Sequence, residues 1–146
     1  MNAASVTVLP RRTPPSILVV ETDVRIRCLV SDALRALDFK VLEASSAGDA
    51  LTVLEAMRID LLFIALDLSG GSSALDVARL VRTRRMPTRI ILASEDGVLA
   101  GAEAEDFGPI LRKPYDASQV VELVICALSW PEAPRTSRGT WPVEPR

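Results

Sequence analysis

The sequence predicts an α/β domain in which one parallel sheet of five strands is covered by helices on both faces. Short apolar runs typical of strands alternate with segments of helical periodicity along the chain. The run at residues 61–66 is fully apolar, as expected for a central parallel strand buried on both faces. A chain of 146 residues with 49% hydrophobic residues has the length and the core material of one domain.

The first half of this domain contains three predicted strands, at residues 17–20, 40–44 and 61–66. The second helix begins behind Ser46 and Asp49, which have the Ser-x-x-Asp spacing of a helix start. The first helix is predicted from apolar residues that recur at helical spacing on one face: Ile26, Leu29, Val30, Ala33, Leu34 and Leu37.

The second half contains two further strands, at residues 89–93 and 110–112. Ser73 and Asp76 have the spacing of a capping box, so the third helix begins there. Asp116 is the expected N-cap of the last helix. Residues 95–107 are acidic and interrupted by glycine, which predicts that the fourth helix is short or poorly formed.

Both ends of the chain are predicted to be tails that flank a domain at residues 16–129. Residues 1–15 and 130–146 are rich in proline, and the second segment cannot bury enough apolar surface to offset chain entropy. We therefore expect disorder in both. Trp130 is expected to cover the end of the last helix, whereas Trp141 has no predicted role.

Composition and charge exclude several classes of function. A net charge of -2 predicts no general attraction to nucleic acid. Two cysteines and no histidine argue against zinc and for reduced thiols. No apolar run reaches membrane-spanning length and no leader pattern is present, so we expect a cytoplasmic protein without membrane contact. A local arginine cluster reads as a solvated helix end: Arg79, Arg82, Arg84 and Arg85.

Functional groups are expected where the strands end. In an open parallel sheet, ligands and catalytic groups gather outside the carboxyl ends of the strands. The residues at the carboxyl ends of four of the predicted strands, or directly after them, are in order Glu21, Thr22 and Asp23; Ala65, Leu66 and Asp67; Ala93, Ser94 and Glu95; and Lys113 with Pro114.

These strand ends carry a family resemblance. The stretches "ILVVETD", "DLLFIALDLSGG", "RIILAS" and "LRKPYD" occur in an order and at a spacing that resemble the receiver domain of two-component response regulators, over about residues 16–129. The resemblance implies a flavodoxin-like doubly wound sheet of order 2-1-3-4-5. It also implies an aspartate at the end of strand three that accepts a phosphoryl group, and Mg²⁺ held by an acidic pair after strand one.

The sequence departs from this pattern at most of the implied site positions. The acceptor position falls on Ala65, whether it is counted forward from Asp60 or back from Ala74. The acidic pair becomes Glu21 and Thr22, so one metal-binding carboxylate is missing. The implied switch hydroxyl falls on Ala93, with Ser94 beside it, and the implied aromatic position holds Ile110. No metal is therefore expected, and the remaining Mg²⁺ candidates are Glu21, Asp23 and Asp67.

Lys113 keeps its place in the family pattern. The resemblance implies that this lysine pairs with the acceptor carboxylate, and that the Lys113-Pro114 bond is cis. With Ala65 at the acceptor position, Lys113 is left to pair with Glu21, Asp23 or Asp67. A further hypothesis is that its ammonium is a structural substitute for the missing cation.

The predicted function is that of a stand-alone degenerate receiver. It is expected to have no enzyme activity, to take no cofactor and to act by binding a protein. The resemblance implies a histidine kinase, another response regulator or a second copy as partner, through the face formed by helix four, strand five and helix five. Ile110, Val121 and Ile125 are the expected residues of that face.

Two alternatives stay open. In the first alternative, Asp67 is the substitute acceptor of an irregular phosphorylation site in which Glu21 and Asp23 hold the metal. Alternatively, the segment 69–73, "SGGSS", binds a phosphate or nucleotide at the start of a helix in a flavodoxin-like binding module.

Overall fold

The computed structural model describes residues 13–68, 73–95 and 101–129. Strands and helices alternate through these residues. They are β1 (Ser16–Val20), α1 (Val24–Arg35), β2 (Lys40–Ala44), α2 (Ala47–Ala56), β3 (Leu61–Ala65), α3 (Ala74–Thr83), β4 (Arg89–Ser94), α4 (Gly101–Phe107), β5 (Ile110–Arg112) and α5 (Ala117–Leu128).

The strands form one parallel sheet of order β2-β1-β3-β4-β5. This confirms the predicted fold class and the order 2-1-3-4-5. Val20 at the end of β1 is in register with Ala44 of β2 and with Ile64 of β3. β2 and β3 flank β1 on opposite sides. The loop after β1 therefore lies at the topological switch point of the sheet, where the strand order reverses.

Helices cover both faces of the sheet because the strand residues alternate between two cores. One core packs Leu18, Leu62 and Leu92 against α2, α3 and α4. The other packs Ile17, Phe63 and Ile91 against α1 and α5. β1 and β3 are buried at every residue, as expected for central parallel strands.

The predicted starts of α2, α3 and α5 are confirmed. Asp23 caps α1, and Ser46 caps α2 by accepting the backbone N–H of Asp49. The capping boxes of α3 and α5 are complete: Ser73 and Asp76 exchange hydrogen bonds, as do Asp116 and Gln119. Each box satisfies backbone donors that the first helical turn leaves unpaired.

Several boundaries and faces differ from the sequence prediction. β3 ends at Ala65 and not at Leu66, and β4 continues to Ser94. The predicted inward face of α1 was wrong at Leu29 and Leu37, which are 50% and 40% exposed. Leu37 follows the end of the helix. Val30 and Leu34 form the buried stripe of α1, and Leu29 lies at the edge of that stripe.

The short α4 is joined to α3 by charged side chains. Arg79 of α3 reaches Asp76 at 2.8 Å and Glu103 of α4 at 2.6 Å. Arg82 donates to the carbonyl oxygen of Asp106 at 2.8 Å and stacks over the Phe107 ring. Ala104 of α4 is fully buried. Within the predicted arginine cluster, Arg79 is therefore paired with acidic groups, whereas Arg82 contacts a backbone carbonyl and an aromatic ring.

Parts of the predictions lie outside the described residues. Residues 1–12 and 130–146, which make up most of the predicted tails, belong there with Trp130 and Trp141. Among the described helices, none is long and apolar enough to cross a membrane. Cys28 and Cys126 are both exposed free thiols.

Candidate functional site

Three loops bring charged side chains together at the carboxyl edge of the sheet. Glu21 follows β1, Asp67 lies two residues after β3, and Lys113 follows β5. The ammonium Nζ of Lys113 lies 3.0 Å from Oε1 of Glu21 and 3.2 Å from Oδ1 of Asp67. The Lys113 peptide bond to Pro114 is cis. Of the three pairings left open by the sequence, two are formed at once.

This ion cluster is buried on one side and open on the other. The side chains of Lys113 and Glu21 are 9% and 4% exposed, whereas that of Asp67 is 41% exposed. Burial acts to lower the pKa of Lys113, but the contacts with Glu21 and Asp67 outweigh it and raise that pKa above its usual value. Lys113 is therefore a fixed positive charge at neutral pH.

Glu21 is held by the backbone around it. Its N–H donates to the Ala44 carbonyl at 3.1 Å, which extends the pairing of β1 with β2. Its Oε2 accepts the N–H of Asp23 at 2.9 Å, and its own carbonyl accepts Nη1 of Arg27 at 2.8 Å. Only the Oε1 atom is left to face Lys113.

Asp23 and Thr22 form their hydrogen bonds with groups outside the cluster. Oδ1 of Asp23 accepts the N–H groups of Arg25 at 2.8 Å and Ile26 at 3.3 Å. These bonds, with that of Ile26 the stronger influence, lower the pKa of Asp23. The exposed Thr22 hydroxyl donates to the Ser45 carbonyl at 3.4 Å. Asp23 thus serves as the N-cap of α1.

Ala65 and Ala93 lie side by side where β3 and β4 end. They are register partners in the sheet, and their exposed fractions are 1% and 0%. The ladder continues past them, because Leu66 donates to the Ala93 carbonyl at 2.7 Å and Lys113 donates to the Ser94 carbonyl at 2.8 Å. Two methyl groups therefore form the floor of this edge of the sheet.

Tyr115 adds an aromatic group that the sequence analysis did not single out. Its ring meets Phe63 of β3 edge-to-face, with centroids 5.9 Å apart. Its buried hydroxyl has no hydrogen-bond partner among the described residues. Burial, followed by the charges of Glu21 and Asp67, raises the pKa of Tyr115 far above its usual 10.0. The signal available in the sequence was its position two residues after Lys113.

A shallow groove of about 620 Å³ borders the cluster. Its lining consists of Ile26 and Leu29 of α1 together with Glu95, Lys113, Pro114 and Tyr115. Leu29 is half exposed here.

The three residues predicted for the interaction face are each half-buried. Ile110 packs against the core under α2, α3 and α4, whereas Val121 and Ile125 pack against the core under α1 and α5. The large hydrophobic residues that are exposed in the described part of the chain are instead Val24, Leu29 and Leu37, in or directly after α1.

Two further predicted sites are only partly described. Of the segment 69–73, Ser73 alone is described, and its hydroxyl accepts the N–H of Asp76 as the helix cap. Within residues 13–68, 73–95 and 101–129, no group of three or more acidic, cysteine or histidine side chains is arranged to hold a metal ion.

The fold agrees with the comparison to known families. The chain matches the family described as the response regulator receiver domain over residues 17–125. It therefore belongs to that family, a signalling module of two-component systems. No curated protein matches the chain.

Solved structures show the same fold. The signal receiver domain of an HD domain-containing protein from Pseudomonas fluorescens is 24% identical, with a TM-score of 0.75 over 86% of this chain and 94% of that one. A CheY-like receiver domain from Methylobacillus flagellatus is 24% identical, with a TM-score of 0.68 over 76% and 96%. The response regulator TrrA from Thermotoga maritima, solved in complex with Mg²⁺-BeF, is 22% identical, with a TM-score of 0.68 over 75% and 96%.

Proposed function

We propose that this receiver signals through contact with a protein partner and accepts no phosphoryl group at the position its family uses. The observation that carries the proposal is Ala65, the last residue of β3, buried beside Ala93. Phosphoryl transfer to a protein needs a nucleophilic oxygen, which a methyl group lacks. The sequence pattern of the family puts the acceptor at this residue.

The donor set at the edge of the sheet supports the same proposal. Mg²⁺ prefers carboxylate and water oxygens in near-octahedral geometry. Asp23 is engaged as a helix cap, Thr22 is neutral, and Glu21 faces the Lys113 ammonium. These residues do not fit the magnesium site that the family implies, so we expect this receiver to take no cofactor.

The partner is a protein of the same signalling class. A histidine kinase or another response regulator in the cytoplasm fits the family, and a second copy of the chain is the other candidate. The face of α4, β5 and α5, with Ile110, Val121 and Ile125, is the expected contact. We expect no enzyme activity and no nucleic-acid partner.

One observation favours a second function for the same edge. The Asp67 carboxylate is 41% exposed and lies 3.2 Å from Lys113, so an oxygen nucleophile and a positive charge are present there. In this second candidate the chain is a phospho-accepting receiver that uses Asp67.

The test is the intact mass of the protein after incubation with a small-molecule phosphodonor and Mg²⁺. Wild type, Asp67→Asn and Ala65→Asp are treated side by side. We expect no mass gain in wild type and a gain in Ala65→Asp, because an aspartate at residue 65 gives Lys113 the partner that the family uses and frees Glu21. A base-labile phosphoryl gain in wild type that Asp67→Asn abolishes would establish the second candidate.

A further inference from the structure

β2 is an edge strand of the sheet, and its outer side offers backbone groups for pairing. The N–H of Lys40 and the carbonyl of Ala44 are both hydrogen-bonded to residues that flank β1. Because backbone groups alternate in direction along a strand, those of Val41 and Glu43 point away from the sheet. An edge strand with such outward groups is a template for pairing with another chain.

Two arginines of α1 bind Glu43, and one of them reaches the outer side of β2. Nε of Arg27 lies 3.1 Å from Oε1 of Glu43, and Nη1 of Arg35 lies 3.0 Å from its Oε2. Nη2 of Arg35 also donates to the outward carbonyl of Val41 at 3.1 Å. Nη1 of Arg27 is held in turn by the Glu21 carbonyl at 2.8 Å. The Arg35 guanidinium therefore fills the place that the N–H of a further strand would take at Val41.

A second copy of this chain fits the outer side of β2 because the strand is complementary to itself there. In an antiparallel pair with Leu42 on the two-fold axis, Val41 would lie opposite Glu43 of the second copy. Both residues direct their backbone groups outward, so they would exchange N–H···O bonds as a hydrogen-bonded pair. The other edge strand, β5, has only three residues, Ile110–Arg112, and offers a shorter template.

We propose that Arg35, held by Glu43, is a lock that keeps the edge of β2 from pairing with a second copy of this chain. The side chains of Arg35 and Glu43 are 45% and 27% exposed. Such an exposed ion pair contributes little to the stability of the fold, so its removal opens the edge while α1 stays folded. The inference does not depend on the proposed function, because it involves neither Ala65 nor the face of α4, β5 and α5.

The first test compares the sedimentation of wild type and Arg35→Ala over a range of protein concentrations. Arg35→Ala should form dimers at concentrations where wild type does not, because alanine leaves the Val41 carbonyl open and keeps α1 helical. Arg25→Ala is the matched control, since it removes an exposed arginine from the start of the same helix and should sediment as wild type. Association through the face of α4, β5 and α5 would add equally to all three proteins. Arg35→Ala that sediments as wild type would overturn the proposal.

Val41→Pro, added to Arg35→Ala, tests whether the edge of β2 forms the contact. Proline removes the outward N–H of residue 41 and is tolerated on an edge strand, so the double variant should return to the association state of wild type. Hydrogen exchange gives an independent readout: in concentrated Arg35→Ala, exchange of the Val41 and Glu43 N–H groups should slow by about tenfold or more relative to wild type. Dimers that persist in the double variant, or unchanged exchange at these two groups, would contradict the lock.

Discussion

Tyr115 shows how one side chain can be well packed and poorly satisfied at the same time. Its ring has an edge-to-face contact with Phe63, which contributes about 1 kcal/mol beyond the area it buries. Its hydroxyl is buried without a hydrogen-bond partner in the described part of the chain. An unsatisfied buried hydroxyl costs about 1–3 kcal/mol, so the ring stabilises the fold and its oxygen does not.

Tyr115→Phe should therefore raise the free energy of unfolding, by about 1 kcal/mol. The ring contact stays and the desolvated oxygen is removed. Urea unfolding measures the change. Tyr115→Leu is the control, because it removes the ring contact and should lower stability. A loss of stability in Tyr115→Phe would show that the hydroxyl has a stabilising partner.

The site could be predicted from the sequence only in part, as Lys113, Asp23 and Ala65 show. The resemblance identified Lys113 and the alanine at residue 65, and the choice between Glu21, Asp23 and Asp67 as partners of Lys113 was left open. The structure joins Glu21 and Asp67 to Lys113 and uses Asp23 as a cap. That choice depends on how loops distant in sequence meet, which local spacing does not encode.

At the scale of elements, the turn between α4 and β5 depends on a close backbone approach. A Cβ placed on Gly108 would overlap the carbonyl oxygen of Ile90 in β4. The neighbouring Pro109 carbonyl accepts the N–H of Leu92 at 2.9 Å, so the turn is hydrogen-bonded to β4. Only a residue without a side chain lets β5 lie this close to β4.

Gly108→Ala should destabilise the protein by about 3 kcal/mol, since backbone atoms of β4 must move to admit the methyl group. Gly48→Ala is the matched control. Its added Cβ would have Ser46 Oγ as nearest neighbour at 4.0 Å, and alanine is favoured over glycine in a helix, so stability should rise by about 0.5 kcal/mol. Equal effects in the two variants would contradict the overlap at Ile90.

Elements were predictable where local chemistry decides them. The starts of α1, α2, α3 and α5 follow from capping side chains that act within three residues. The inward face of α1 was only partly predictable, because Leu29 and Leu37 have helical spacing but lie beyond the sheet they were expected to cover. Periodicity identifies an apolar stripe and does not measure the width of the surface it meets.

At the scale of the molecule, stability should depend on pH through capping carboxylates. The N–H and hydroxyl of Ser73, followed by the charge of Arg79, lower the pKa of Asp76 below 3.8. Backbone N–H bonds lower that of Asp23, and the Ser118 hydroxyl with the Gln119 N–H lowers that of Asp116. A carboxyl with a lower pKa in the folded state stabilises the fold above its unfolded pKa and loses this effect on acidification.

The urea midpoint of wild type should therefore be level near neutral pH and fall below about pH 4. Asp76→Asn keeps an oxygen acceptor for Ser73 and removes the charge, so its midpoint should depend less steeply on pH in the acid range. Asp32→Asn changes an 80% exposed carboxyl that caps no helix, and serves as control. A slope in Asp76→Asn as steep as that of wild type would contradict this assignment.

The join between α3 and α4 has a further consequence for the molecule in solution. Glu103 and Arg79 are about half exposed, and such surface pairs are screened by dissolved ions with a Debye length of about 8 Å at physiological ionic strength. Among the described side chains of α4, Ala104 is fully buried and Phe107 packs partly against the core, and the Arg79–Glu103 pair adds to these apolar contacts. The electrostatic part of the contact between α3 and α4 should therefore weaken as the electrolyte concentration rises, while the apolar contacts of α4 stay in place.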